Sequence, residues 1–311
     1  MKVTIFGAGN VGATTAHLLV QDELTELTLI DVIDGFAEGK ALDLQQYAAL
    51  SLYDIDIIGS TDGSMCKDSD IVIITSGLPR KPSMTREDLL LKNAEIVADV
   101  CGHIKKYSPN SIVIVATNPL DPMVNLASAV LGFGKHKVMG MAGVLDSARM
   151  CSFLAEELGI SVKDISAMVI GGHGDDMVPL KRYASVAGIP AVDLVSNERL
   201  DAIIDRTRKG GAEIVGLLKT GSAYYTPAFS LFTMVKSIFQ NEKRMLPCSV
   251  WCNSEYGIND LYVGVPAIIG KHGVEMIAQL ALTDDELSAL HDSANRIEGN
   301  LDVLRDNGYS V

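Results

Sequence analysis

Five short runs early in the chain, KVTIF, LTLID, DIDIIG, DIVIIT and SIVIVAT, are rich in Ile and Val and apolar on both faces. A strand can bury both faces only where helices cover its sheet from each side, which restricts the chain to a parallel sheet. Helical patterns fill the intervals near residues 10–22, 34–48 and 86–107, then 121–131. Such repeated βα units, with right-handed crossovers, build a doubly wound α/β sheet.

The pattern changes after about residue 143. A helix-like DSARMCSFLAEELG leads to DISAMVI and then to a glycine-rich loop, GGHGDDMVP. Long helical stretches follow near residues 196–240, then strand-like LPCSVWC and LYVGVPAII. TDDELSALHDSANRIEGNLDVL closes the chain, with Thr283 as N-cap and Glu286 at the capping-box position. The expected division is a dinucleotide-binding domain over residues 1–143 and an α+β substrate or catalytic domain over 144–311. The crevice between two packed lobes is the natural place for a site.

At 311 residues, two domains are the prior expectation. A formal charge of −13 argues against a nucleic-acid partner and against anionic membrane surfaces, since both need clustered Lys and Arg. The five cysteines, Cys66, Cys101, Cys151, Cys248 and Cys252, are scattered and odd in number, which suits reduced core thiols and a cytoplasmic setting. Cys248 and Cys252 lie four apart, but no second pair or His cluster completes a metal site, so no metal is expected. No apolar run reaches the roughly 18–20 residues of a membrane span. The apolar segment of MKVTIFGAGN is too short for a signal peptide.

Gly7-Ala8-Gly9-Asn10-Val11-Gly12 follows the first strand and opens the first helix. Gly7 allows the tight turn, Gly9 lets backbone approach a pyrophosphate, and Gly12 permits close helix–sheet packing. The helix N-terminus adds amide donors and a positive dipole end. LTLIDV ends the second strand at Asp31, where a carboxylate accepts hydrogen bonds from both ribose hydroxyls and repels a 2′-phosphate. NAD is therefore favoured over NADP. Ala116, Thr117 and Asn118 end the strand SIVIVAT and begin TNPLD. A carboxamide there points into the crevice where such sheets bind ligands, although a turn-forming Asn-Pro explains Asn118 equally well.

His173 sits in GGHGDD, after an apolar run and ahead of two acids. Its ordinary pKa lies near neutrality, as acid–base work requires. His17, His103, His136, His272 and His291 read as surface or packing residues. Asp146 is a candidate to orient His173, and Arg149 follows on the same helical face at i+3; that pair alone is also explained as a helix salt bridge. In GLPRKPSMTRED, three cations, Arg80, Lys81 and Arg86, crowd one short stretch of an acidic chain. Thr85 reads as an N-cap with Asp88 at the third helical position. That puts Arg86 in the first turn, where its charge opposes the helix dipole. A sequence selected for helix stability alone favours Asp or Glu there.

GAGNVG, LID, GLPRKPSMTRED, TNPLD, GVLDSAR and GGHGDDMVP occur in this order, with LLKTGSAYY later. Together they resemble the lactate/malate dehydrogenase family over essentially the whole chain. Within it, LPRKP looks like the malate dehydrogenases built on the lactate-dehydrogenase plan; lactate enzymes typically carry Gln where this chain has Arg80. The resemblance implies a Rossmann-type first domain, NAD as cofactor, and reversible hydride transfer between (S)-malate and oxaloacetate, a step of the tricarboxylic acid cycle. It implies His173 as proton donor and acceptor, Asp146 orienting it, and Arg149 binding the 1-carboxylate in a fork. Arg86 would polarise the reacting carbonyl and Arg80 would meet the second carboxylate, both on a mobile lid in which Pro79 and Pro82 limit the conformations. Asn118 would contact substrate and nicotinamide ribose, and Asn93 would lie beside the cofactor. Closure on pyruvate would bury Arg80 unpaired, at a cost of roughly 2–5 kcal/mol. The family forms homodimers or homotetramers, and the sequence does not choose between them. Ser83, in place of a common lid glycine, and ARMCSF, in place of a commoner ARF run, depart from the usual pattern. The competing readings are a lactate or other 2-hydroxyacid dehydrogenase, and a catalytically silent NAD-binding protein.

Overall fold

The computed structural model describes residues 1–23, 26–79 and 84–311. The first half alternates strand and helix as the apolar runs dictate. β1 (Lys2–Phe6), α1 (Asn10–Gln21), β2 (Glu26–Ile30), α2 (Phe36–Leu50), β3 (Ile57–Ser60) and β4 (Ile71–Ile74) come first. They are followed by α3 (Arg86–Tyr107), β5 (Ile112–Val115), α4 (Leu120–Leu131) and β6 (Val138–Gly140). These six strands pair in parallel in the order β3-β2-β1-β4-β5-β6. All four residues of β4 and all four of β5 are buried, the double-sided burial that their Ile/Val content implies.

The second half begins with α5 (Gly143–Leu158) and the two-residue strands β7 (Ile165–Ser166), β8 (Val169–Ile170), β9 (Val178–Pro179), β10 (Ser185–Val186) and β11 (Ile189–Pro190). Then come α6 (Asn197–Leu218), α7 (Tyr225–Phe239), β12 (Arg244–Cys252), β13 (Leu261–Gly270), β14 (Gly273–Ile277) and α8 (Asp284–Asp306). The helical stretches expected near 196–240 are the two helices α6 and α7. Between them Lys219 and Gly221 take positive φ, and Pro227 falls in the first turn of α7, where a missing N–H costs nothing.

The large sheet continues past β6. β12 pairs antiparallel with it at Ser249–Gly140, and β13 and β14 extend the sheet to nine strands. The strand-like runs of the second half thus cover the edge that β6 would otherwise leave unpaired. Gly140 makes the junction possible: a Cβ there would lie 2.5 Å from Val124 Cγ2 and 3.0 Å from Ser249 Cβ. The main core runs along this whole sheet, from Val3 and Ile5 to Val263 and Val265. Met150, Leu154 and Leu200 centre a smaller core between α5 and α6. Four cysteines, Cys66, Cys101, Cys248 and Cys252, are buried thiols, and burial pushes Cys101 up to about 12.

Candidate active site

The strand order reverses direction between β1 and β4, and the carboxyl ends of these strands open the crevice where doubly wound sheets bind ligands. Gly7 turns the chain out of β1 at φ +100°, and a Cβ there would meet Ser76 N and Thr75 Oγ1 at 2.7 Å. Gly12 packs α1 so closely that a Cβ there would overlap Gly7 O. Gly9 faces open space and caps α1 without any side chain of its own. That leaves the first-turn amides at Asn10 and Val11 to an outside acceptor. Asp31 braces the turn: Ala8 N donates to its Oδ2 at 2.8 Å and Ile33 N to its Oδ1 at 3.2 Å. Each carboxylate oxygen keeps a further lone pair, so the acid is still able to accept ribose hydroxyls. A tight glycine turn, an open cradle and an acid at the second strand end fit a dinucleotide lacking a 2′-phosphate.

The neighbouring strand ends are laced together. Ala116 N donates to Ile74 O at 2.8 Å, and the Thr117 hydroxyl to Ser76 O at 2.7 Å. Asn93, buried in α3, accepts from Leu78 N at 2.8 Å and donates to Asn118 O at 2.6 Å. It thereby fixes the backbone from which the exposed Asn118 side chain projects.

His173 and its expected partners do come together. The imidazole Nδ1 lies 2.8 Å from Asp146 Oδ2, and Arg149 donates to Asp146 Oδ1 at 3.0 Å. Asp146 is only 2% exposed at its side chain, against 14% for His173 and 13% for Arg149, so the chain of charges is shielded from water. Burial opposes a charged imidazole, but the Asp146 carboxylate, by charge and by hydrogen bond, outweighs it and holds the His173 pKa above its ordinary value. With Nδ1 held by the carboxylate, Nε2 is the nitrogen left to exchange a proton.

Arg86 begins α3 behind the expected capping box. Asp88 N donates to Thr85 Oγ1 at 3.0 Å, and Thr85 N donates back to Asp88 Oδ2 at 2.9 Å. Its guanidinium reaches the histidine loop at Asp175 Oδ2, 3.4 Å away, with both side chains more than three-quarters exposed. A pair so open to water contributes at most about 1 kcal/mol. Arg80, with Lys81, Pro82 and Ser83, lies outside the described residues.

Several supporting residues carried no signal in the sequence. Asp121 stood in the quoted TNPLD run, yet nothing in its spacing pointed to His173; in the fold its Oδ2 accepts from His173 N at 2.9 Å. Ser249, on β12, donates to the other Asp121 oxygen at 2.8 Å. Ser293, on α8, accepts from Gly172 N at 2.6 Å and donates to Asp176 Oδ2 at 3.0 Å. Gly210 and Gly211 of α6 make room for Arg149, whose Cδ would lie 3.0 Å from a Cβ at Gly210. These partners lie 52 to 128 residues along the chain from what they touch, so only the folded chain assembles them. A cavity of about 530 Å³ at the opposite end of the sheet, lined by Asp70, Asn110, Lys137 and Lys271, includes none of the groups described above.

Fold and glycine turn define the class, a dinucleotide-binding α/β protein of the doubly wound kind. Residues 1–140 match the family model for the lactate/malate dehydrogenase NAD binding domain, and residues 143–305 match that for the alpha/beta C-terminal domain. A malate dehydrogenase of Rhodopirellula baltica is 52% identical over 305 residues, covering 97% of each chain. The structure of the Cryptosporidium parvum malate dehydrogenase superposes with a TM-score of 0.95 at 43% identity, covering 98% of this chain and 99% of that one. The lactate dehydrogenase of the same organism, complexed with lactic acid and the cofactor NAD, superposes almost as well, with a TM-score of 0.94 at 40% identity over 98% of each chain. This chain belongs to the lactate/malate dehydrogenase family. It is an oxidoreductase, and its cofactor is NAD. The near-equal likeness to a malate and a lactate enzyme means that the fold does not select the substrate.

Proposed function

We propose that the enzyme is a malate dehydrogenase, interconverting (S)-malate and oxaloacetate. The shielded chain Arg149–Asp146–His173 carries the acid–base part of this reading, and Arg80 with the 52% identity to a malate dehydrogenase supports the dicarboxylate. NAD, when bound, would supply the acceptor and donor for the hydride that leaves or returns to the substrate C2. Gly7, Ala8, Gly9, Asn10, Val11 and Gly12 would hold its pyrophosphate, Asp31 its adenosine ribose, and Asn93, Ala116, Thr117 and Asn118 would border the nicotinamide end.

In oxidation, His173 Nε2 removes the hydroxyl proton as C2 becomes a carbonyl; in reduction it returns that proton. Asp146 fixes the tautomer and stabilises the imidazolium. Arg149 retains N–H groups beyond the one given to Asp146, and its planar fork suits the 1-carboxylate. Arg86 would leave Asp175 to meet the negative charge growing on the substrate oxygen. Arg80 would pair with the second carboxylate and so select a dicarboxylate over pyruvate. On this reading residues 1–143 form the NAD-binding domain, which also lends Arg80 and Arg86 to the substrate, residues 144–311 form the catalytic domain, and the protein acts in the cytoplasm, within the tricarboxylic acid cycle. Among the described residues, no helix is long and apolar enough to cross a membrane. Large apolar side chains exposed on α6 and α7, among them Leu217, Tyr225 and Phe229, support a homodimer or homotetramer.

The direct test follows NADH oxidation by absorbance with oxaloacetate and pyruvate supplied separately. The wild type should strongly prefer oxaloacetate, and Arg80→Gln should lose most of that activity while gaining relative pyruvate activity. An unchanged preference in the variant would reject Arg80 as selector.

A further inference from the structure

Asp121 is a buried acid with a job that the roles proposed above do not include. It sits in the first turn of α4, three residues after Asn118, and only 4% of it is exposed. Both of its oxygens are used: Oδ2 takes the backbone N–H of His173 at 2.9 Å, and Oδ1 takes the Ser249 hydroxyl at 2.8 Å. α4 is itself held firmly. Asn125, one turn on, donates to Asp121 O and exchanges hydrogen bonds with both backbone groups of Tyr262 on β13. Ser249 marks the point where β12 joins β6. Asp121 therefore ties the histidine loop to the helix that follows Asn118 and to the strand that carries the sheet past β6.

We propose that Asp121 is a positioning residue for the reaction, fixing the backbone of His173 so that its imidazole meets the substrate oxygen in register. The proposal rests on the acid–base reading of His173. Asp146 alone leaves the ring free to swing with its loop, because Gly172 and Gly174 flank His173 and neither restrains the backbone with a side chain. The loop backbone is anchored before His173 by Gly171 N on Gly264 O and by Gly172 N on Ser293, and the His173 N–H itself is taken by Asp121. A catalytic group displaced by about 1 Å loses roughly a hundredfold in rate.

Charge gives a second, separable readout. The groups facing Asp121 are His173 and Asp176 from the loop and Ser249 from β12, with Asp146 and Arg149 of α5 meeting the same imidazole from the other side. Asp121 and Asp146 both favour protonated His173, and Arg149 disfavours it. An amide at position 121 keeps an oxygen for the His173 N–H but removes one negative charge.

The experiment compares wild type, Asp121→Ala, Asp121→Asn and His173→Asn. It measures kcat for oxaloacetate reduction across pH, NADH binding by fluorescence titration, and thermal melts. Asp121→Ala should lose roughly tenfold to a hundredfold in kcat with NADH affinity unchanged. Asp121→Asn should recover most of that loss, with the pH limb assigned to His173 moved to lower pH. A folded Asp121→Ala within about threefold of wild type would overturn the proposal. So would an Asn variant as impaired as the Ala one. Should Asp121→Ala fail to fold, the Asn profile decides, and an unmoved limb counts against the role. Normal turnover by His173→Asn would instead remove the acid–base reading itself, independently of what Asp121 does.

Discussion

At the scale of single residues, the site keeps charges where the fold alone would not. Burial drives the Asp121 carboxyl up to about 6, against the hydrogen bonds from His173 N and Ser249 that favour its ionised form. A carboxyl whose pKa is raised on folding binds its proton more tightly in the native state, so stability falls as pH rises from the unfolded value of 3.8 towards 6. Above that, the ionised acid costs the fold about 3 kcal/mol. Asp121→Asn should therefore melt higher than wild type at pH 8, with the difference closing as pH falls from about 6 towards 3.8. A lower melting temperature at pH 8 would mean that the carboxylate is a net structural asset.

His173 has the same direction of shift and a different consequence. Its pKa is raised because Asp146 outweighs the burial that opposes the charged ring. Protonated His173 thus contributes stability in full below the ordinary imidazole range, and that contribution is lost as pH rises through the folded value. Reduction needs the protonated ring, so its rate should persist above the ordinary imidazole value near 6.5 and then decline. Oxidation should rise over the same interval. His173→Asn should keep NADH binding and lose turnover by about two to four orders of magnitude. Steady-state rates at fixed cofactor saturation check both statements.

At the scale of elements, α3 presents Arg86 and α5 presents Arg149. α3 is capped by Thr85, whose capping box holds the turn carrying Arg86 despite that cation's unfavourable place at a helix N-terminus. Thr85→Ala should cost about 1 kcal/mol and raise KM for oxaloacetate, because Arg86 then rides on a frayed turn. α6 seats Arg149 through Gly210 and Gly211. Gly210→Ala gains up to about 1 kcal/mol in helix propensity. It also presses on Arg149, so KM for the substrate should rise severalfold with NADH affinity unchanged. A variant that gains stability with an unaltered KM would show that the guanidinium tolerates a shifted seat.

At the scale of the whole molecule, the continuous sheet makes the two halves one structural unit. Gly140 lies where β6 meets β12, with Val124 and Ser249 too near for any larger side chain. Gly140→Val should overpack this junction, destabilising by about 1–3 kcal/mol or more. Calorimetry of the wild type should show one unfolding transition in which the cofactor half does not melt apart. Light scattering on the same samples should give a mass above that of one 311-residue chain, as the exposed apolar faces of α6 and α7 imply.

The sequence by itself determined the parallel sheet, the glycine turn, Asp31, the capping boxes at Thr85 and Thr283, and the pairing of Asp146 with Arg149. Each is a local matter: a side-chain period of two or 3.6, a turn that needs glycine, or an i, i+3 spacing on one helix. The tertiary structure alone decided that β12 would dock on β6, that Asp121 and Ser249 would hold the histidine loop from α4 and β12, and that Gly210 would make room for Arg149. Asp121 and His173 are 52 residues apart, and Asp121 and Ser249 are 128 apart. Contacts that distant leave no periodicity in the chain; they arise because burying two apolar faces against one sheet brings polar groups from separate elements together, where each must find a partner.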